Sequence, residues 1–131
     1  MDFSSEIAVR TIWMEARGDG EAAMRAVAHV LVNRLKTRRW GSTLAQVCLA
    51  PLQFSSWNTS DPNRRAMAAL DDDDSLLNEI RIYLADALSG EPDPTNGSTH
   101  YYATTIAAPN WIQGAKLQAQ IGRQLFYSGV A

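Results

Sequence analysis

The residue in this sequence best placed to do chemistry is a glutamate set among bulky apolar side chains. In Trp13-Met14-Glu15-Ala16-Arg17 the acid falls near the end of a segment with helical spacing. Desolvation disfavours an ionised carboxylate, so an acid in such surroundings can keep a proton and deliver it to a glycosidic oxygen. A plainer reading is a surface ion pair with Arg17 or Arg25, and spacing alone favours that one. A second constellation lies further along. Trp57, Tyr101, Tyr102 and Trp111 all stand beside polar residues, near Gln53, Ser55 and Asn58. Aromatic faces with polar donors between them suit a sugar cleft, where ring faces stack and hydroxyls need partners. Taken singly, each aromatic fits the core of a small lobe better than a ligand contact; as a set beside Gln53, Ser55 and Asn58 they favour the cleft.

Other chemistries lack their residues. There is no GxxxxGK[ST], no GxGxxG and no GxSxG. A zinc site would need His29, His100 and Cys48 from three distant segments without a close-spaced pair, so no metal or cofactor is expected. Cys48, within LAQVCLA, reads as a buried small hydrophobe, and His29 as a satisfied core or groove histidine. The run Asp71 to Asp74 reads as a solvated face or linker; it lacks the alternating ligands and turn glycine of a calcium loop. Twelve Lys plus Arg against fourteen Asp plus Glu leave a net charge of -2, which offers no basic footprint for nucleic acid or anionic lipid. The longest apolar stretch, residues 26 to 35, is broken by His29 and Asn33 and is too short to insert across a membrane. MDFSSEIAVR carries no basic region ahead of an apolar run, so no secretory signal is expected.

The elements that must position these residues fit one domain, residues 1–131, with 46% apolar residues. A first helix is expected from about Ser4 to Arg17, stopped by Gly18-Asp19-Gly20, with Glu15 on the face of Ala8 and Ile12. A second, central helix follows, with Asp19 as its N-cap and Met24, Val27, Ala28, Leu31 and Leu35 on one stripe. Thr43 and Gln46 are spaced as a capping box for a short helix ending before Pro51. QFSSWN, residues 53–58, suits an ordered loop or short extended piece. Asp61-Pro62 starts another helix, and Leu76 to Leu88 form an amphipathic one closed by Gly90. After Gly90 the chain turns at Asn96-Gly97 and runs into a strand-like THYYATTI; the tail IGRQLFYSG fits a strand or a helix. The sum is an α+β domain with a helical body and a small loop-rich lobe.

With these segments in order, the chain resembles the cell-wall hydrolase family typified by the spore cortex-lytic enzyme SleB. AVRTIWMEARGDG (8–20), MRAVAHVLVNRL (24–35), RWGSTLAQVCLAPLQFSSWN (39–58), DPTNGSTHYYA (93–103), PNW and IGRQLFY carry the likeness over nearly the whole chain. The combination of EARG, HVLVNR and QFSSWN is specific. Where the family often has Glu-Pro after EARG, this chain has Asp19-Gly20. The resemblance implies a lysozyme-like α+β fold and cleavage of the MurNAc-GlcNAc β-1,4 bond of peptidoglycan. It makes Glu15 the catalytic acid and places Gln53, Phe54, Ser55, Trp57, Thr99, His100, Tyr101 and Tyr102 at the substrate. One carboxylate suffices for a lytic transglycosylase, because the sugar's own 6-hydroxyl replaces water, whereas most glycosidases need two. The expected partner is the glycan strand, with no nucleic acid, no membrane insertion and a monomeric chain. An unleadered catalytic domain suggests a phage or prophage endolysin that accumulates in the host cytoplasm before reaching the wall. The competing readings are a hydrolytic muramidase, a wall-binding or virion structural module, and a metallopeptidase.

Overall fold

The computed structural model describes residues 1–131. Its helices are α1 (Phe3–Ala16), α2 (Glu21–Thr37), α3 (Leu44–Leu49), α4 (Pro62–Ala68) and α5 (Ser75–Leu88). Three strands follow: β1 (His100–Ala103), β2 (Lys116–Ile121) and β3 (Gln124–Ser128), all antiparallel in the order β1-β3-β2. Strand β1 is therefore an edge.

The helices begin where side chains can satisfy their free N–H groups. Asp2 accepts from Ser5 N at 2.8 Å, and Asp61 accepts from Asn63 N at 2.8 Å with Pro62 in the first turn. Thr43 and Gln46 form the full reciprocal capping box on α3. The acidic run is more than a solvated linker: Asp74 caps α5 through Leu76 N and Leu77 N, and Asp72 pairs with Arg10 at 2.9 Å. Helix α2 departs from expectation at its start. Gly20 is the N-cap, at φ 90° and ψ 175°, a conformation a side chain resists. Asp19 turns away instead and pairs with Arg123 at 2.8 Å, tying the helix entry to the β2–β3 turn.

The core lies between α1, α2, α3 and α5. Ile12, Val27, Leu31, Val47, Ile80 and Leu84 are fully buried there, and Ala8, Ala16 and Ala28 let the helices approach closely. Helix α2 is buried on two sides. Its other face presents Ala26 and Val30 to Phe126 of β3, which anchors the sheet. The tail, undecided by local pattern, becomes a β2–β3 hairpin turned at Gly122, because pairing with β1 satisfies its backbone. Asp93 staples the preceding loop, accepting from Asn33, Thr95 and Gly97 at 2.7–2.8 Å. His29 is buried with Nε2 2.8 Å from Glu91 Oε1. Cys48 is buried, and desolvation pushes its thiol up to about 12, which makes it unreactive. No helix is long and apolar enough to cross a membrane.

Candidate active site

Glu15 sits in the last turn of α1, half-buried between the helical body and the edge strand. Its Oε1 accepts from the Tyr101 hydroxyl at 2.8 Å and its Oε2 from Ser56 Oγ at 3.0 Å. It enters no ion pair. Arg17 instead lies over the Trp13 ring at 4.0 Å and bonds Asn63, while Arg25 is taken up by Glu21, Asp86 and Glu91. The surface-pair reading of Glu15 therefore fails. Both partners are hydroxyls, and a hydroxyl can turn to donate or to accept, so the pair can serve the carboxyl with or without its proton. Burial and the adjacent Glu15 carboxylate hold the Tyr101 phenol well above its ordinary value, keeping its proton in place.

Opposite stands a buried cation. Arg34, on α2, is 4% exposed, with Nε 2.6 Å from the Thr99 carbonyl and Nη1 2.8 Å from Gln53 Oε1. Its guanidinium lies against the Trp40 ring at 4.4 Å and the Phe54 ring at 5.0 Å. Burial lowers it to about 10, so it stays charged at neutral pH. No carboxylate forms an ion pair with it. His100 is flanked by Trp40 at 5.5 Å and Trp111 at 5.1 Å. Desolvation first, then Arg34 and Arg39, bring it down to about 4, so it is neutral.

These groups line a cleft of about 240 Å³, completed by Leu52, Gln53, Phe54 and Trp111. Glu15 is its only acid. Glu6 is spent elsewhere: Arg81 and Arg10 hold it down at about 2. Asp19 and Glu21 are paired with Arg123 and Arg25.

Of the residues proposed from sequence, Glu15, Gln53, Phe54, His100 and Tyr101 meet at this cleft. Four others do not line it. Ser55 is exposed at the start of a 3-10 turn, Ser55–Trp57, and that tight turn brings the next residue, Ser56, to Glu15 instead. Trp57 packs on the core and donates Nε1–H to Thr11 Oγ1 at 2.8 Å, so it fixes the turn to α1. The Thr99 carbonyl accepts from Arg34 Nε, and its hydroxyl lies in hydrogen-bond contact with His100 Nδ1 at 2.9 Å. Tyr102 shares the His100 face of β1, where it stacks on Tyr127 at 5.8 Å and meets the edge of the Trp111 ring at 5.8 Å. Sequence reasoning missed Ser56, Arg34 and Leu52 as site residues. Trp111 was placed among the aromatics suited to a sugar cleft, though not named with the substrate residues. Arg34 had a readable signal: it follows Val27 and Leu31 on the buried stripe of α2, a position where a cation needs a reason.

A helical body with a small antiparallel sheet, holding one acid in a polar-aromatic cleft between them, defines a lysozyme-like α+β domain. The chain belongs to the cell wall hydrolase family, whose sequence profile matches residues 18–127. Glu15 lies just ahead of that stretch. Among curated relatives, the spore cortex-lytic enzyme of Halalkalibacterium halodurans is 27% identical over 125 residues, covering 95% of this chain and 34% of the relative. The spore cortex-lytic enzyme of Bacillus subtilis is 26% identical over 121 residues, covering 89% and 35%. The chain thus spans about a third of the length of these relatives. The catalytic domain of the Bacillus cereus SleB protein superposes with a TM-score of 0.74 at 21% identity, covering 95% of this chain and 89% of that one. The catalytic domain of the germination-specific lytic transglycosylase SleB from Bacillus anthracis gives 0.74 at 21%, covering 98% and 97%. These likenesses establish the SleB-like fold.

Proposed function

We propose that this domain cleaves the MurNAc-GlcNAc β-1,4 bond of peptidoglycan as a lytic transglycosylase, with Glu15 acting first as acid and then as base. The observation that carries the proposal is the solitary cleft carboxylate, gripped by two hydroxyls and free of any cation pair. The relatives' description as spore cortex-lytic enzymes, and the lytic transglycosylase that shares the fold, support the same reading.

The chemistry follows from that inventory. Glu15 donates its proton to the glycosidic oxygen as the bond from the muramyl C1 breaks. The muramyl 6-hydroxyl then attacks C1 and gives its own proton to the Glu15 carboxylate, closing a 1,6-anhydro ring and restoring the acid. No second carboxylate is needed, since no water has to be activated. The Tyr101 and Ser56 hydroxyls hold the carboxyl in place through both steps. Phe54, Leu52 and Trp111 supply apolar surface for sugar rings, and neutral His100 and Gln53 supply hydrogen-bonding groups.

The products decide the proposal. Purified sacculi digested with the protein are expected to release muropeptides ending in 1,6-anhydro-MurNAc, which borohydride does not reduce. Reducible MurNAc ends would make it a hydrolytic muramidase. An absence of new muramyl ends would leave it a wall-binding or structural module. The proposal extends to an endolysin held in the host cytoplasm. Expression alone should then spare the host, and co-expression with a membrane-permeabilising protein should lyse it.

A further inference from the structure

A second concavity, larger than the cleft at about 690 Å³, opens beside it. The two share a border. Trp40 lines the second groove, while its ring contacts Arg34 and His100 in the cleft. On the other side Ala50 and Pro51 line the groove, and the next residue, Leu52, lines the cleft. The groove and the cleft therefore adjoin at Trp40 and at the Pro51–Leu52 step.

The groove's lining narrows what that substituent is. Ala45, Leu49, Ala50 and Pro51 make it largely apolar. The Gln46 Oε1 is occupied, accepting from Ser42 N at 2.7 Å and Thr43 N at 3.2 Å, which leaves its Nε2 as a donor at the groove. The one charged residue is Arg38, exposed at the end of α2 and in no ion pair. Its neighbour Arg39 is engaged with the Val130 and Ala131 carbonyls at 2.8 and 2.7 Å. Leu52, at the rim between the two concavities, is fully exposed and held at φ 64°, a left-handed backbone that bulky residues resist. Gly41 can only be glycine: a Cβ there would fall 2.4 Å from the Gln46 Cβ, so the groove wall is set by bare backbone.

We infer that this groove receives the stem peptide that peptidoglycan carries on its muramyl lactyl group, with Arg38 binding a peptide carboxylate. The inference rests on the proposed cleavage of the glycan strand in the adjoining cleft. A further stretch of glycan is a poorer match, since neutral sugars need many hydroxyl partners and the groove has one cation and mostly apolar walls. A short peptide with alanine methyls and free carboxylates meets both features, and a cation without a counter-ion gains most from an anionic partner.

The test compares peptide-bearing glycan strands with the same strands stripped by an amidase, measuring kcat/KM on each. The wild type is expected to prefer the peptide-bearing form. Arg38→Glu should cut that preference about tenfold, and Arg38→Asn about threefold, chiefly through KM, as loss and reversal of a partly exposed ion pair imply. Asparagine tolerates the left-handed backbone at this position, φ 60°, which keeps the second variant folded. Lys36→Glu, the same charge reversal outside the groove, should leave the preference unchanged. A wild type without preference, or Arg38 variants indistinguishable from the Lys36 variant, would overturn the inference while the cleavage reading stood. A wild type inert on both substrates would remove the cleavage reading, and the groove's assignment with it.

Discussion

The two walls of the cleft are held by very different amounts of protein. Glu15 and Arg34 stand on α1 and α2, helices that share a cluster of nineteen buried apolar residues. Tyr101 and His100 stand on β1, in a sheet whose own buried cluster is Phe126 with Ala26 and Val30 of α2. The acid is thus fixed within the broad core, whereas the hydroxyl that steadies it stands where the two clusters meet, its ring packed against both. Global stability and catalytic geometry should therefore respond to different substitutions.

Truncation of the sheet's anchor puts that contrast to its hardest test. Phe126→Ala is expected to cost about 3–5 kcal/mol in urea unfolding, and Leu84→Ala in the body a similar amount. Their effects on turnover per folded molecule should diverge. Leu84→Ala leaves it unchanged, whereas Phe126→Ala lowers it, because the Tyr101 ring packs 5.6 Å from the Phe126 ring. Equal losses of turnover would mean that the walls are not separable.

Removal of one oxygen from the weaker wall gives a smaller effect. Tyr101→Phe keeps the ring and deletes the 2.8 Å bond to Glu15. Activity on sacculi should drop about tenfold with a stability loss of about 1 kcal/mol, the usual worth of one hydrogen bond. A variant as active as the wild type would show that Ser56 alone positions the acid.

His100 sharpens the comparison in pH. Burial and the arginines lower it from 6.5 to about 4. As pH falls, the unfolded chain takes up this proton first, so the stability from the neutral ring is complete above about pH 6.5 and drains away down to about pH 4. His100→Gln should flatten that acid limb by about 1 kcal/mol, less than the full linkage because the cleft is open to water. Unfolding curves collected across this window measure it. An unchanged limb would assign the acid sensitivity to the carboxylates.

The same division governs what could be read in advance. Helix stripes and caps depend on residues within a few positions of each other, so α2's buried face, the Thr43–Gln46 box and the Asp61-Pro62 start were all legible. Glu15 stood out by its apolar sequence neighbours, but spacing alone favoured a surface pair, and the resemblance carried by EARG singled it out. Ser56 was missed by one position, since a 3-10 turn rotates each residue differently from an extended segment and no local pattern fixes its phase. Tyr102 lies outside the cleft lining on the His100 face of β1, against Trp111 and Tyr127, a placement set by residues far away in the sequence. Arg34 was hidden inside a helix whose apolar rhythm drew the eye. Its role depends on Thr99, Gln53, Trp40 and Phe54, brought to it from other elements. The strand or helix nature of the tail depends on pairing across the sheet, which no window of the sequence contains.

One substitution bears on the whole account. Glu15→Gln preserves shape and both hydroxyl contacts while removing the transferable proton. Release of anhydro-muramyl ends from sacculi should fall by at least about a thousandfold, with the melting temperature within a few degrees of the wild type. Undiminished release by this variant would mean that another group breaks the bond and that the carboxylate between Tyr101 and Ser56 is structural.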